Sequence, residues 1–374
     1  MAQPVAAARP SFFDRLLVSP RFRRWAAAFP LTRPVARRRA RALFDLCAGF
    51  VYSQVLQACV RLELFDMLAE GPQTAARLAP RLGLAPEAAE RLLAAAVSLK
   101  LVARRGGAFG LGPLGAAMVG NPGLAAMIAH HAVLYADLGD PVGLLRGAPA
   151  ETGLQRYWAY ARADRPDGLG DAETHGYTAL MAASQPMIAE EVLAAYHLGR
   201  HRCLLDVGGG DGSFIAAAAM RHAGLRFQLF DLPAVAARAR ARFAAMGIAG
   251  RAGAIGGDFL ADPLPTGADA ACLVRVLHDH DDAAVATILR AICQALPPGG
   301  TLLLAEPMSG TPGAEAMGDA YFGFYLLAMR SGRPRSPERF VQLLSAAGFG
   351  GIRLVPTRMP LLTRLMVARR GAGL

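Results

Sequence analysis

The chain reads as an α/β protein: a doubly wound, mostly parallel sheet preceded by an all-helical winged-helix unit. Three observations predict this. From Arg202 onward, short β-rich runs alternate with helical stretches, the pattern of a parallel sheet covered by helices. The first of those runs ends in Asp206-Val207-Gly208-Gly209-Gly210-Asp211-Gly212, a glycine-rich strand-to-helix junction. Between residues 46 and 120, helical runs separated by turns lead into a short glycine-centred wing. At 374 residues, 53% hydrophobic and 18% charged, the chain has room for two domains with a large core and is too apolar for global disorder.

Four segments follow from the composition. Residues 1–45 are a basic amphipathic segment, with ten arginines against Asp14 and Asp45 in a chain of net charge +11. Phe12, Phe13, Leu16, Leu17, Phe22, Trp25, Phe29 and Leu31 are interleaved with those arginines. Such a mixture fits a solvated helix packed on a partner subunit or a helix at an anionic lipid surface, and fits a nucleic-acid contact least. Residues 46–120 form the winged-helix unit. Leu56, Val60, Leu64 and Leu68 fall on one helical face, Thr74 caps the helix carrying Leu78 and Leu82, a turn at 83–86 leads into a helix over 88–101, and 104–111 is the wing. A winged helix can read DNA, but Glu87 and Glu90 against Arg91 make a poor face for phosphates, so dimerisation or substrate covering is the better reading. Residues 121–200 are a mostly helical linker over the substrate, looser near 162–170. Residues 201–374 are the sheet domain, with strands at 203–207, 227–230, 253–256, 270–276 and 301–305, helices at 214–222, 234–246 and 283–295, and a closing hairpin from 352–355 and 365–368.

The five cysteines form no CxxC pair and no zinc-type cluster, which points to inert core thiols in a reducing compartment. No leader pattern and no apolar run of bilayer length stands out, so a soluble or peripheral protein is expected.

The glycine loop is the most informative stretch. It reads Asp-x-Gly-x-Gly-x-Gly, which differs from the dinucleotide fingerprint Gly-x-Gly-x-x-Gly. Its acids, Asp206 and Asp211, would repel a pyrophosphate but suit a ligand carrying an ammonium, such as the methionyl part of S-adenosylmethionine. Gly208 and Gly210 let the backbone approach that ligand. Asp231, followed by Leu232 at the next strand end, is placed to accept ribose hydroxyls. Asp258 could accept an adenine amino group, with Phe259 covering the ring.

Past the fourth strand comes Arg275-Val276-Leu277-His278-Asp279-His280-Asp281-Asp282, and past the fifth, Glu306. A strand ending near Leu277 puts His278 and Glu306 on the cofactor rim, as a general base and the carboxylate that orients it. That pair suits methyl transfer to a hydroxyl, where the oxygen loses its proton as the new bond forms. His280, Asp281 and Asp282 also raise a divalent metal, but three side chains of one run do not easily converge on one ion, and Asp281-Asp282 also fits a helix start; no metal is expected. His130 and His131 either line a substrate cavity or pack within a helix. The segment 317–329, with Met317, Tyr321, Phe322, Phe324, Tyr325 and Met329, is either an apolar wall or core.

These motifs resemble the plant-type small-molecule O-methyltransferases, the family of caffeate and acetylserotonin O-methyltransferases, over roughly residues 46–370. Leu205–Gly212 is similar to the family's cofactor motif, 230–233 to its ribose motif, 257–259 to its adenine motif, and 277–280 to the His-Asp-Trp motif that holds its catalytic base, with His280 in place of Trp. Arg275 falls where the family has a basic residue near the cofactor carboxylate. The resemblance implies a class I S-adenosylmethionine methyltransferase fold with a homodimerising first domain. One departure stands out: where the family often has a second glutamate, in Gly-Lys-Glu-Arg-Thr, this chain reads Gly332-Arg333-Pro334-Arg335-Ser336, which leaves Glu306 as the sole support of His278.

Within the family, the Arg-rich start and the run from His130 to Val142 look like the carotenoid hydroxyl methyltransferases of photosynthetic bacteria, the hydroxyneurosporene and demethylspheroidene type. That implies a hydrophobic acceptor, the 1-hydroxyl of an acyclic carotenoid, with His131, Tyr135, Phe322, Tyr325 and Met329 around it. It also implies a cytoplasmic enzyme with peripheral contact to the inner or photosynthetic membrane. A phenolic or indolic acceptor is the alternative, and a cofactor-sensing DNA-binding regulator is the alternative of another class.

Overall fold

The computed structural model describes residues 11–158 and 171–371; Arg9 and the looser region expected at 162–170 lie outside them. The chain forms two compact units that divide between Val119 and Gly120.

In the first unit, helices Phe12–Val18 and Pro20–Ala28 are capped by Ser11 and Ser19, and helix Arg33–Arg61 follows. The basic segment is therefore three helices, and the third runs through residue 45. It contains an 18-residue stretch of mean hydropathy 1.4, of which 11% is buried. This corrects the expectation that no apolar run reaches bilayer length, because the arginines cluster in its first turns and leave the rest nearly uncharged. The single helical face expected through Leu56, Val60, Leu64 and Leu68 is also broken. Glu63 turns left-handed at φ 54°, and a second helix, Leu64–Ala69, starts beyond it. The break swings Leu64, Phe65 and Leu68 into the core beside Leu78 and Leu93. Thr74 caps helix Ala75–Arg81 through the Arg77 amide, and helix Pro86–Ser98 starts on its proline. Strands β1 (Val102–Arg105) and β2 (Ala108–Leu111) pair antiparallel as the expected wing.

The second unit begins with helices Pro122–Asp137, Pro141–Leu145, Gly153–Tyr157 and Asp171–Ala195. The sheet follows: β3 (Cys203–Val207), β4 (Arg226–Asp231), β5 (Ala252–Gly256), β6 (Ala270–Val274), β7 (Thr301–Glu306), β8 (Phe349–Val355) and β9 (Arg364–Arg370), in the order β5-β4-β3-β6-β7-β9-β8. β3 to β7 run parallel, and β9 is antiparallel to both of its neighbours. Both faces are covered. Leu204, Phe227 and Leu229 pack with Phe214 and Phe243 on one side, while Leu205, Val207 and Phe230 pack with Ile288 and Leu273 on the other. Adjacent residues of one strand thus enter opposite cores, which is why these strands read as continuous apolar runs.

The chain winds from β3 toward β4 and β5 on one side and toward β6 and β7 on the other. This reversal opens a crevice at the carboxyl ends of β3 and β6. One boundary differs from the sequence reading. β6 stops at Val274, because Arg275 adopts φ 58° and leaves the ladder. His278 therefore sits on the 3-10 turn Leu277–Asp279 beyond the strand.

Candidate active site

A cavity of about 460 Å³ occupies the crevice. Asp206, Gly208, Gly210, Asp231, Leu232, Asp258, Phe259 and Arg275, the eight residues expected around a cofactor, all line it. Gly208 shows why the loop is glycine: its φ is +68°, and a Cβ would lie 2.8 Å from Val276 Cγ2. Asp231 Oδ2 accepts the Gly210 amide at 2.8 Å and Oδ1 the Leu232 amide at 2.7 Å, so this carboxylate ties the glycine loop to the end of β4. Asp258 Oδ1 accepts the Leu260 amide, which fixes the loop that presents Phe259.

The electrostatics of the cavity favour a cation. Five carboxylates line it, from Asp206, Asp211, Asp231, Asp258 and Asp279. Asp211 is matched by Arg242 and by the Ser213 hydroxyl. Among the described residues, Asp206 and Asp231 have no such cation in hydrogen-bond contact. Burial pushes Asp206 up to about 7 against a stabilising contact from the Cys272 thiol, and pushes Asp231 up to about 6 against its two amide bonds. Asp206 Oδ2 is buried without a hydrogen-bond partner among the described residues. Two buried carboxylates in an open cavity fit a ligand carrying ammonium and sulfonium charge, and they disfavour a pyrophosphate. The Arg275 guanidinium lines the same cavity, but its donors go to helix Asp171–Ala195: Ser184 Oγ at 2.9 Å, Gln185 Oε1 at 2.7 Å and the Met181 carbonyl at 3.2 Å.

On the rim beside this cavity, His278 Nδ1 lies 2.7 Å from Glu306 Oε2. The other oxygen of Glu306 accepts the Val276 and Leu277 amides at 2.9 and 2.6 Å. Glu306 has no exposed surface and takes two backbone amides on Oε1, and the ring tautomer with its proton on Nδ1 donates to Oε2. Nε2 is left for chemistry. Asp279 Oδ1 stands 3.3 Å from it, a neighbour that sequence reasoning had given no role. Burial alone would lower His278, but Asp279 and Glu306 together hold it above the ordinary histidine value.

Residues 151–350 match the O-methyltransferase domain, and residues 44–121 match the O-methyltransferase dimerisation domain. The chain belongs to the O-methyltransferase family. It is 45% identical to demethylspheroidene O-methyltransferase of Cereibacter sphaeroides over 95% of this chain and 94% of that one. It is 41% identical to the protein of the same name from Rhodobacter capsulatus over 99% and 92% of the two chains. Among solved structures, human N-acetylserotonin methyltransferase in complex with SAM superposes with a TM-score of 0.73 at 27% identity, over 89% of this chain and 98% of the other. The methyltransferase therefore uses S-adenosylmethionine and carries the family's homodimerisation module. The regulator reading is set aside: the module is a dimerisation domain, and Glu87 and Glu90 are exposed on its Pro86–Ser98 helix.

On the acceptor side the methyltransferase splits the expected wall in two. Met317–Phe322 is a π-helical turn and helix Gly323–Met329 follows it. Phe322 sets its ring edge-on to His278 at 5.6 Å. Tyr321 bonds His131 Nε2 at 2.7 Å, and Tyr135 packs edge-on to the His131 ring. Tyr325 and Met329 instead sit in a buried cluster with Leu134, Leu144 and Leu154, where Trp158 Nε1 and His130 Nε2 meet the Tyr325 hydroxyl at 2.9 and 2.7 Å. Burial, and to a lesser extent the His131 charge, lowers His130 to about 4, so its ring is neutral. Met329 has no exposed surface. Asp282 is engaged by Arg335 and Arg339, and Asp281 pairs with Arg333. Among the described residues no group of three such ligands could hold a metal.

Sequence reasoning missed Trp158, Tyr177, Met181 and Gln185, which close the cavity from the helical side. No motif marks them; they reach the site because their helices fold over the crevice.

Proposed function

We propose that the methyltransferase acts on the 1-hydroxyl of an acyclic carotenoid, with His278 as general base, Glu306 as the carboxylate that orients it, and the eight cavity residues as the cofactor site. The geometry of His278 between Glu306 and Asp279 carries the catalytic reading, and the two demethylspheroidene O-methyltransferase relatives support the acceptor. When bound, S-adenosylmethionine supplies an electrophilic methyl group. Asp206 from β3 and Asp231 from β4 would offer their carboxylates to its positive charges and its ribose hydroxyls. His278 Nε2 would take the proton of the acceptor hydroxyl as its oxygen takes the methyl group, whose bond to the cofactor sulfur breaks with the electron pair left on sulfur. The charge then on the ring is shared with Glu306 at Nδ1 and with Asp279 at Nε2. Phe322 keeps water from the ring, and the neighbouring aromatic residues receive an apolar chain.

Incubating the purified protein with methyl-labelled cofactor and a panel of 1-hydroxycarotenoids, phenols and indoles tests the acceptor. Label should enter the carotenoids; label entering only phenols or indoles overturns this choice.

A membrane-dissolved acceptor also accounts for the first two helices. Phe12, Phe13, Val18, Trp25 and Leu31 are all more than half exposed among the arginines, and all precede the dimerisation match at residue 44. We assign this surface to the anionic face of a bilayer and assign cytoplasmic, peripheral residence to the enzyme. Leu43, Phe44, Leu46 and Phe50 are exposed in or next to the dimerisation match and are assigned to the partner subunit. Deleting residues 1–41 should abolish sedimentation with phosphatidylglycerol vesicles and leave the dimer intact. Unchanged sedimentation sinks the membrane assignment.

A further inference from the structure

Four consecutive carbonyls of the catalytic turn are all taken by donors from one short stretch, residues 331–335. The Leu277 carbonyl accepts Arg335 Nη1 at 2.7 Å. The His278 carbonyl accepts the Arg333 amide at 2.9 Å. The Asp279 carbonyl accepts the Ser331 hydroxyl at 2.6 Å, and the His280 carbonyl accepts Arg335 Nη2 at 2.6 Å. Arg335 is 2% exposed, and its Nε reaches Asp282 Oδ1 at 2.8 Å. Its own carbonyl accepts the Ser309 amide at 3.0 Å, three residues beyond Glu306. Gly332 is held at φ +77° with its Cα against the turn, where any Cβ would overlap the His278 carbonyl oxygen. Pro334 has no amide hydrogen, and the stretch needs none from it.

We propose that residues 331–335 are a clamp that sets the position of His278, with Arg335 as its positioning residue. This rests on the reading of His278 as the base. The stretch carries no carboxylate of its own and acts through backbone geometry and the Arg335 guanidinium. A turn of 277–280 with its carbonyls free could tilt and carry the imidazole away from Glu306. With all four fixed, the ring has one orientation between Glu306 Oε2 and Asp279 Oδ1. Arg335 suits the task because a guanidinium sends separate donors to three acceptors in one plane, which a lysine ammonium cannot do.

The test compares Arg335→Lys and Ser331→Ala with His278→Ala in the full-length enzyme, reading kcat, KM, cofactor affinity by calorimetry, the melting temperature and the pH–rate profile. Arg335→Lys should lower kcat about 100-fold, the usual cost of a misplaced catalytic group, with cofactor affinity unchanged. Its pH–rate inflection should fall toward the ordinary histidine value, because the ring loses its grip on Glu306 and Asp279 while Arg275 and His280 stay beside it. Ser331→Ala removes one donor and should give a smaller shift of the same sign in a folded protein, which covers the case in which Arg335→Lys does not fold. Wild-type kcat and pH profile in both variants overturn the clamp. So does a loss of cofactor affinity and melting temperature in step with kcat, which marks a purely structural role. Turnover surviving in His278→Ala overturns the base assignment instead, so the two failures are distinguishable.

Discussion

The strand-end cavity takes one carboxylate from each of three successive strand ends, Asp206 from β3, Asp231 from β4 and Asp258 just past β5, whereas the turn carrying His278, the proposed base, depends on partners far away in the chain. His278 is oriented by Glu306 from β7, and its turn is held from residues 331–335. The first arrangement is a row of local motifs that the parallel sheet brings together by aligning strand ends. The second exists only after β6, β7 and the stretch before helix Pro337–Ala346 have packed. The two ends also differ in charge management. Among the described residues no cation is hydrogen-bonded to Asp206 or Asp231 in the cavity, while the turn gives each carbonyl from 277 to 280 a donor and Glu306 Oε1 two. An open, mismatched field favours binding, and a closed, satisfied one favours fixed geometry.

Substitutions sharpen this contrast, and the largest effect belongs to the turn. His278→Ala should lower kcat about 1,000-fold, within the range for a lost general base, with cofactor affinity intact by calorimetry; comparable turnover in the variant breaks the assignment. Glu306→Gln keeps the shape but not the charge, and should cost about 100-fold in kcat. It should also lower the pH–rate inflection. The sign follows from the free enzyme: Glu306 and Asp279 raise His278, activity needs the neutral ring, so rate rises with pH, and removing one negative charge moves that rise to lower pH. An inflection that stays in place rules out coupling between the two groups.

The cavity should respond in the opposite way. Asp231→Asn should raise the cofactor KM about 10-fold, the scale of one charge-assisted contact, while kcat at saturation changes little; an equal fall in kcat would blur the division between the two ends. The smallest effect is the pH dependence of binding. Asp206 and Asp231 lie near 7 and 6 in the free protein, and their carboxylates favour the cation, so cofactor affinity should rise with pH through that window and protons should be released on binding below it. Calorimetry in buffers of different ionisation enthalpy measures that release, and its absence argues that neither acid faces the ligand's charge.

The sheet was legible from the sequence because its central strands, β3, β6 and β7, are nearly continuous apolar runs. The bounds of Cys203–Val207 and the start of the strand at Thr301 needed no tertiary information. Boundaries slipped where backbone conformation, not composition, ends an element. Arg275 at φ 58° ends β6 early, and Glu63 at φ 54° breaks a helix that side-chain periodicity joins. Tyr325 and Met329 show the limit for the site: an aromatic or a methionine at helical spacing fits a cavity wall or a core equally well, and only packing against Trp158 and Leu144 puts them in the core.

The sequence by itself determined the fold class and the cofactor and named the base and carboxylate proposed here, because strand-end motifs carry their chemistry within a few residues of each other. Only the tertiary structure decided that Asp279 stands beside Nε2, that Arg275 directs its donors to the helix above the cavity, and that the stretch around Pro334 holds the catalytic turn. Those relations join residues that are neighbours only across the fold, or depend on a turn whose dihedral angles no composition encodes.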